Sequence, residues 1–263
     1  MIDLKLGDVH ELIKTLPDHS VNLVLADPPY GISAAKDKWD SPLNWDVLWP
    51  EINRVLAPKG AIALFGASKF TYKLVASNFD DFRYKYVWVK NLPSGHLNAN
   101  RMPMRMYEEV NIFYPKQCDY YPQRTSGHPT CGQIQGGVRQ YGQRTYHSDM
   151  RVDWDGRDGT RCPKDVLFFD AVHNTKKVHP SEKPVPLLEC LIKTYTVEGQ
   201  TVLDFCMGSG STGVAAVKNK RNFIGFELYK EYFDIAQDRI STEPISLIQE
   251  LTAKGKADEQ TTC

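Results

Sequence analysis

A short apolar run that two prolines stop abruptly constrains the fold of this chain more than any other feature. Residues 21–26 are mostly aliphatic, and Asp27, Pro28, Pro29 and Tyr30 follow them directly. A short apolar run next to proline is typical of a buried strand, because proline disfavours helix in the residue before it. Ligands of open parallel sheets bind just outside the carboxyl ends of strands. We therefore predict a parallel strand that ends in a candidate site.

Strand patterns alternate with helix patterns along the rest of the chain. Apolar residues between Trp45 and Leu56 recur at a spacing of three to four, which predicts an amphipathic helix that ends before residues 58–60. A buried strand is predicted next, at residues 61–65, and strand, helix and strand together predict a right-handed βαβ unit. We predict an α/β fold with further strands at 2–6, 84–90, 109–114, 166–169, 201–205 and 222–227, and further helices at 11–16, 70–79, 187–192, 214–218 and 232–240.

Residues 27–30, named the acceptor loop here, have the chemistry to hold an aromatic amine. The Asp27 carboxylate and the Pro28 carbonyl can accept hydrogen bonds from an exocyclic amino group, and the Tyr30 ring can stack on a planar base. Neither Pro28 nor Pro29 has a backbone N–H, so the loop presents acceptors rather than donors. The sequence therefore predicts a site for a substrate that carries an NH₂ group.

A second motif combines glycines with acidic residues. Residues 206–210, named the glycine loop here, follow a predicted strand and open a predicted helix, so their backbone can approach a ligand closely. Asp204 before this loop would repel a pyrophosphate and attract an ammonium group, and Glu227 lies 17 residues beyond Gly210, near the interval of a ribose-binding acid. S-adenosyl-L-methionine fits this motif better than a dinucleotide does, although a purely structural strand-to-helix turn stays open. The candidate cofactor-binding residues here are Asp204, Phe205, Cys206, Gly208, Ser209, Gly210, Thr212 and Glu227.

Charge and cysteine content limit the class of protein. The chain has 32 basic and 32 acidic residues, which excludes a globally basic nucleic-acid binder but not a local basic face. Its six cysteines form no CxxC pair and are typical of reduced thiols in a cytoplasmic protein. No apolar run approaches the roughly 20 residues that a membrane helix needs, and the first residues lack a signal layout. We expect a cytoplasmic protein with no membrane partner.

The composition changes in the middle of the chain. Residues 116–164 are rich in Gly, Arg, Gln, Tyr and His and poor in aliphatic side chains, which predicts irregular loops or short strands resting on the main domain. Arginine interleaved with tyrosine suits phosphate and base contacts, but a solvated surface excursion explains the composition equally well. The candidate DNA-binding residues are Lys36 and Lys38, beside the acceptor loop, and Arg101, Arg105, Arg124, Arg139 and Arg144.

These motifs together resemble the β-class amino DNA methyltransferases. The resemblance rests on Asp-Pro-Pro-Tyr at residues 27–30, the irregular central region, His-Pro-Ser-Glu-Lys-Pro at residues 179–184, and Asp204 with its glycine loop. It covers nearly the whole chain to about Ile240, and its strength comes from the order, with the catalytic motif before the cofactor motif. This chain has Phe205-Cys206 where most members have Pro-Phe, a change that keeps an apolar contact.

The resemblance implies a Rossmann-like S-adenosylmethionine-dependent methyltransferase fold. Its sheet would have seven mostly parallel strands with one antiparallel strand, in a circularly permuted order. Asp204, Gly208 and Gly210 would line the methionine end of the cofactor, Glu227 the ribose and Asp8 the adenine amino group, while Asp27 and Lys183 would complete the pocket. The implied divisions are a catalytic half at 1–91, a target-recognition region at 92–164, a cofactor-binding half at 165–242 and a tail at 243–263.

The implied reaction is transfer of a methyl group to the N6 atom of an adenine in a short specific sequence of double-stranded DNA. The base would be flipped out of the duplex and stacked on Tyr30, with Asp27, Pro28, Pro29 and Tyr30 as the catalytic residues. The resemblance places such an enzyme in a prokaryotic or phage-infected cell, and it leaves a homodimer and a cognate restriction endonuclease as candidate partners.

Several alternatives stay open at this point. Cytosine N4 methylation uses the same amine geometry, although family members of that kind more often carry serine in place of Asp27. Methylation of an RNA base or a protein amide, and a non-catalytic DNA-binding module, are further alternatives. Ring-carbon methylation is disfavoured because the sequence has no cysteine directly after a proline, and Cys206 is interpreted as an apolar filler. No metal site is expected, because the spacing of Cys118, His128, Cys131 and His147 fits no compact zinc pattern.

Overall fold

The computed structural model describes residues 1–31, 40–126, 160–173 and 181–243, and these form ten strands, six α-helices and two short 3-10 helices at Ile13–Thr15 and His96–Asn98. The strands are β1 (Ile2–Leu6), β2 (Val21–Ala26), β3 (Leu56–Gly66), β4 (Phe82–Ser94), β5 (Arg105–Phe113), β6 (Thr125–Ser126), β7 (Thr160–Arg161), β8 (Val166–Phe168), β9 (Thr201–Asp204) and β10 (Asn222–Glu227). The helices are α1 (Val9–Leu12), α2 (Trp45–Val55), α3 (Ser68–Ser77), α4 (Val185–Tyr195), α5 (Ser211–Lys218) and α6 (230–243).

Eight of these strands form one sheet in the order β1-β10-β9-β2-β3-β5-β4-β8. The first five strands in this order are parallel to one another, and β5 is antiparallel to both of its neighbours, β3 and β4. The predicted mostly parallel sheet with one antiparallel strand is therefore confirmed. The eighth strand, β8, goes beyond the seven implied by the resemblance; it has three residues and pairs with β4.

The centre of the sheet is a topological switch point. Strands β9 and β2 are neighbours there, with Leu23 opposite Val202 and Val24 opposite Leu203. The chain runs from β9 through α5 to β10 on one side, and from β2 through α2 and β3 on the other. Open α/β sheets hold their ligands in the crevice at such a point. Strand β2 precedes β9 in the chain, and the two strands still lie side by side and form this crevice.

Helices cover both faces of the sheet and bury a core on each. Successive residues of a strand point to opposite faces, so Leu23 and Leu25 of β2 belong to one core cluster, whereas Val24 and Ala26 belong to the other. The first cluster includes apolar residues of α4, α5 and α6, and the second includes those of α1, α2 and α3. This double burial explains why β2 reads as a continuous apolar run.

Several element boundaries differ from the sequence prediction, and the start of β3 differs most. Strand β3 begins at Leu56 rather than at residue 61, and it includes the residues 58–60 that were expected to end the helix before it. Leu56 pairs with Val21, and the register then shifts before Ala61 pairs with Leu23. A local Pro-Lys-Gly signal predicted a break, but pairing with β2 extends the strand on both sides of it.

The described residues 122–126 and 160–164 belong to a compact unit of their own. Within it β6 pairs with β7 in antiparallel orientation, and Arg124 Nη1 donates a hydrogen bond of 3.4 Å to Cys162 Sγ. The target-recognition boundaries at 92 and 164 concern DNA contacts and stay a prediction. In the part of the chain that is described, no helix has the length and apolarity needed to cross a membrane.

Candidate active site

Four acidic residues mark the carboxyl ends of four neighbouring strands. In spatial order they are Asp8 after β1, Glu227 at the end of β10, Asp204 at the end of β9 and Asp27 after β2. Neighbouring strands lie about 4.8 Å apart, so this row of acids extends over about 14 Å. The structure thus brings together at one edge of the sheet four residues that the sequence analysis had selected from both halves of the chain.

The acceptor loop is fixed by contacts from three directions. The Tyr30 hydroxyl donates a hydrogen bond of 2.8 Å to Asp27 Oδ1, and the Tyr30 ring stacks on Phe70 with ring centroids 4.5 Å apart. The Gly31 backbone N–H donates to Asp40 Oδ1 over 2.8 Å. Lys183 Nζ forms a hydrogen-bonded ion pair with Asp27 Oδ2. The carboxylate is therefore held in one orientation before any substrate arrives.

Lys183 belongs to a cluster of four charged residues, named the charged cluster here: Asp27, Lys90, Glu108 and Lys183. Lys183 Nζ lies 3.4 Å from Glu108 Oε2, and Lys90 Nζ donates to Glu108 Oε1 over 2.8 Å. The Lys183 side chain is 10% exposed and that of Lys90 is 8% exposed, so the cluster is largely desolvated. The sequence analysis placed Lys183 in the cofactor pocket and missed Glu108 and Lys90. The signal that they offered was a charged residue at the edge of a predicted strand, Lys90 at the end of 84–90 and Glu108 directly before 109–114.

The cluster sets the ionisation of its members. Burial lowers the pKa of Lys183, but the Asp27 and Glu108 carboxylates outweigh it and raise that pKa to about 12. Burial raises the pKa of Glu108, but Lys183 and Lys90 outweigh it and bring that pKa to about 2. Burial raises the pKa of Asp27, with Lys183 opposing the shift. Lys183 is therefore a permanent cation at neutral pH and cannot act as a base.

Two acids shape the glycine loop. Gly208, with φ of +51°, donates its backbone N–H to Glu227 Oε2 over 2.9 Å, and Tyr229 N donates to Glu227 Oε1 over 2.9 Å. Asp204 Oδ1 accepts a hydrogen bond of 3.1 Å from the Cys206 N–H. Both carboxylates thus order the turn that they border, in addition to facing the crevice at the strand ends.

Gly210 is required for a reason that the sequence analysis did not foresee. Its φ is +81°, and a Cβ atom there would lie 2.9 Å from the Cβ atom of Ala236 on α6. Gly210 therefore permits close packing between the start of α5 and α6, in addition to any close approach of a ligand.

We expect Gly210→Ala to lower the free energy of unfolding by about 1–3 kcal/mol more than Gly199→Ala does. Gly199 has a nearly identical φ of +82°, but beyond its chain neighbours no described residue has an atom within 4 Å of its Cβ position, so its variant reports backbone strain alone. Urea unfolding of both variants measures the difference. Equal losses of stability would show that contact with α6 does not restrict residue 210.

The surroundings of the buried Asp204 carboxylate show whether the site suits a cationic cofactor. Asp204 is 4% exposed, and within the described ranges it has no ion pair with a lysine or arginine. Burial raises its pKa to about 7, despite hydrogen bonds from Thr212 and the Cys206 amide. A buried carboxylate without a partner cation suits an ammonium or sulfonium ligand and disfavours a phosphate. The donor set therefore fits S-adenosylmethionine.

The segment before α4 connects the two loops. Arg239 Nη1 donates to both the carbonyl oxygen and the hydroxyl of Ser209, each over 2.8 Å, and Arg239 Nη2 pairs with Glu182 Oε1 at 2.7 Å. Glu182 is thereby tied to the glycine loop, while its neighbour Lys183 is tied to Asp27 in the acceptor loop. Ser209, which the sequence analysis assigned to cofactor binding, accepts a hydrogen bond from Arg239 at its hydroxyl oxygen.

Two further loop residues have mainly packing contacts. Phe205 is buried in the core, with its ring centroid 6.4 Å from that of Trp45. Burial raises the pKa of the Cys206 thiol well above its usual range, and nearby carboxylates add to the shift. A neutral, partly buried thiol agrees with the interpretation of Cys206 as a filler and disfavours thiolate chemistry.

Asp8 lies at the outer end of the row of acids and is more exposed than the other three. It caps helix α1, because its Oδ1 atom accepts a hydrogen bond of 2.8 Å from His10 N and lies 2.7 Å from His10 Nδ1. Its predicted contact with the adenine of the cofactor stays a prediction. Capping explains the residue type equally well.

The predicted basic residues are only partly described. Arg101 and Arg105 are exposed, and Arg105 Nη1 donates to Ser68 Oγ over 2.8 Å. Arg124 lies in the unit that includes residues 122–126 and 160–164.

Four cysteine and histidine residues were considered for zinc. Cys118, one of them, is buried in the core, and the part of the chain that is described holds no group of three metal ligands. Outside the described residues lie Lys36, Lys38, Arg139, Arg144, His128, Cys131 and His147.

Comparisons with known proteins agree with this geometry. A family model described as DNA methylase, of the N6 and N4 type, matches residues 21–238. The type II methyltransferase M.BglII of Bacillus subtilis is 28% identical over 257 residues, which are 90% of this chain and 68% of that protein. M.HpaI of Haemophilus parainfluenzae, also a type II methyltransferase, is 27% identical over 248 residues, which are 88% and 71% of the two chains.

Solved structures share the fold. The M1.HpyAVI–SAM complex has a TM-score of 0.60 and 24% identity, and the match covers 91% of this chain and 99% of that one. The cytosine-N4-specific PvuII DNA methyltransferase has a TM-score of 0.63 and 20% identity, with 90% and 86% covered. The family match includes the acceptor loop and the glycine loop, so it spans three of the four acids at the sheet edge: Asp27, Asp204 and Glu227.

Proposed function

Because this chain belongs to the DNA methylase family, whose S-adenosylmethionine-dependent enzymes methylate adenine N6 or cytosine N4, we propose that it methylates adenine N6 in a short specific sequence of duplex DNA. The observation that carries the choice of adenine is the carboxylate of Asp27 at the first position of the acceptor loop. Enzymes of the resembled class that act on cytosine more often have serine there. Asp27 is held by Tyr30 and Lys183, so the orientation of its carboxylate is fixed by these two contacts.

The chemistry of an aromatic amine explains why acceptors are needed. The lone pair of an exocyclic amino group is delocalised into the ring, which makes the nitrogen a poor nucleophile. The Asp27 carboxylate and the Pro28 carbonyl can draw the two N–H bonds out of the ring plane and so localise the lone pair for attack. Stacking on Tyr30 would hold a flipped base in this orientation. Tyr30 stays a neutral donor, because burial raises its pKa well above the usual range.

The cofactor side of the site supplies position and charge. When bound, S-adenosylmethionine supplies an electrophilic methyl group on a sulfonium. Asp204 would hold its ammonium group, Glu227 its ribose hydroxyls and Asp8 its adenine amino group. The glycine loop would keep the backbone close to the methionine portion, and the Glu182–Arg239 contact would hold that loop in place.

The amino group loses one proton during methylation, and Asp27 is the acceptor that this proposal assigns to it. Asp27 is the carboxylate that the proposal places against the amino group, and burial raises its pKa, which favours transient protonation. Lys183 cannot accept the proton, because its pKa of about 12 keeps it charged. Asp27 therefore orients the amine and takes its proton.

Identification of the methylated base tests the proposal directly. The purified protein is incubated with S-adenosylmethionine and unmethylated plasmid, the DNA is digested to nucleosides, and methylated nucleosides are identified by mass spectrometry. We expect N6-methyladenine, and none without the cofactor. N4-methylcytosine would keep the family and the mechanism but overturn the choice of base. A homodimer and a cognate restriction endonuclease are further proposals, which the resemblance alone supports.

A further inference from the structure

Among the described residues, one acceptor atom of the charged cluster lacks a hydrogen bond of good geometry. Glu108 Oε1 accepts from Lys90, but Glu108 Oε2 is buried and makes no hydrogen bond of good geometry with any residue that the structure describes. The nearest cation is Lys183, whose Nζ atom lies 3.4 Å from that oxygen and donates instead to Asp27 Oδ2. Buried acceptors are nearly always satisfied, so an exception at a site invites a functional explanation.

Asp27 shows the complementary situation. Its Oδ1 atom accepts from Tyr30 and its Oδ2 atom accepts from Lys183, so both oxygens are engaged before a substrate binds. A substrate amino group would have to compete with the Lys183 ammonium for the same carboxylate. A buried ammonium cannot leave one carboxylate unless another compensates its charge.

We propose that Lys183 has two positions, and that Glu108 is a positioning residue that takes over the Lys183 ammonium when the substrate amino group docks on Asp27. This inference rests on the proposed function, because it requires Asp27 to accept the amino group. Lys90 holds the other oxygen of Glu108, so the receiving carboxylate is already oriented toward Lys183.

The structure makes this exchange a short movement. The sheet order places β3 between β2, which ends at Asp27, and β5, which carries Glu108. Phe65 of β3 lies beneath the ammonium, with Lys183 Nζ 5.1 Å from the ring centroid. A cation can slide across an aromatic face and keep its favourable contact with it. Rotation of the last side-chain bonds of Lys183 therefore suffices, and the backbone does not need to move.

Glu108→Gln tests the exchange, because glutamine keeps the shape of the side chain and removes its charge. Lys183 should then stay on Asp27, and kcat for methyl transfer to DNA should fall at least about tenfold. The dissociation constants for S-adenosylmethionine and for DNA should stay within about twofold of those of the unaltered protein, since neither is bound through Glu108. Transfer of a labelled methyl group to DNA measures kcat whichever base receives it.

Glu109→Gln is the matched control. Glu109 is the next residue of β5, and it pairs with Lys85 of β4, just as Glu108 pairs with Lys90. Successive strand residues point to opposite faces of the sheet, so this pair lies away from Asp27. The kcat of Glu109→Gln should stay within about twofold of that of the unaltered protein.

A double-mutant cycle separates positioning from structural support. If Glu108 acts through Lys183, adding Glu108→Gln to Lys183→Met should change kcat by less than about twofold. If the fall in kcat of the double variant equals the product of the falls in the two single variants, the proposal is overturned. Glu108→Asp keeps the charge and should recover part of the activity that Glu108→Gln loses. Glu108→Gln could fold poorly, and Glu108→Asp then decides the matter. A folded Glu108→Asp variant with a kcat as low as that of Glu108→Gln would also overturn the proposal.

Failure of this inference is distinguishable from failure of the proposed function. Unchanged kcat in Glu108→Gln, together with N6-methyladenine as the product, would reject the exchange and keep the function. A product other than N6-methyladenine would reject the choice of base, while the effect of Glu108→Gln on labelled methyl transfer would still decide the exchange.

Discussion

Asp27→Ala is expected to reduce methyl transfer by about 10²–10³-fold or more while S-adenosylmethionine still binds. The variant removes the acceptor that orients the amino group, together with the group that takes its proton. Lys183 keeps Glu108 as a partner at 3.4 Å, so the substitution does not leave a buried cation without a counter-ion. The loss should therefore appear in kcat rather than in the stability of the fold.

Labelled methyl transfer measures the rate of this variant, and isothermal titration calorimetry measures its cofactor affinity. Asp234→Ala is a suitable control, because Asp234 is an exposed acid on α6 that pairs with Lys230. It should transfer methyl groups at a rate within about twofold of the unaltered protein. Substantial activity in Asp27→Ala would remove Asp27 from the catalytic role, and loss of cofactor binding would instead make it a cofactor ligand.

The sequence was sufficient to bring three of the acids together. Asp27, Asp204 and Glu227 each follow a short apolar run, and all parallel strands of a sheet direct their carboxyl ends to one edge. A local signal, a buried strand that stops at an acid, therefore implies a shared location. The permuted order was implied only by the resemblance, and the same argument makes it compatible with a shared site, because neighbouring strands need not be consecutive in the chain.

The rest of the site depends on long-range pairing that local patterns do not encode. Glu108 lies on β5, and its distance from Asp27 follows from the insertion of β3 between β2 and β5. Lys183 lies in a segment without a strand or helix of its own, where its Asp27 partner is 156 residues away in the chain. A lysine in a predicted strand is normally read as a solvated residue, so only the assembled sheet identifies Lys90 as buried.

Cofactor affinity is expected to depend strongly on pH through Asp204. Burial raises the pKa of this carboxyl from its ordinary value to about 7, so the free protein holds a proton there below that pH. Binding of an ammonium group requires the ionised form, and protonation therefore competes with the cofactor. The association constant should fall about tenfold for each pH unit below 7 and level off above it.

Calorimetry between about pH 5.5 and 8.5 measures this dependence, and Asp204→Asn identifies its source. The asparagine variant should bind S-adenosylmethionine weakly at every pH, since it has neither the charge nor the titration. Burial also raises the pKa of Glu227, so Glu227→Gln is the necessary companion. If Asp204 holds the ammonium, the glutamine variant keeps most of the pH dependence. If the dependence disappears in Glu227→Gln and persists in Asp204→Asn, Glu227 is the titrating group and Asp204 serves only to fix the turn at Cys206.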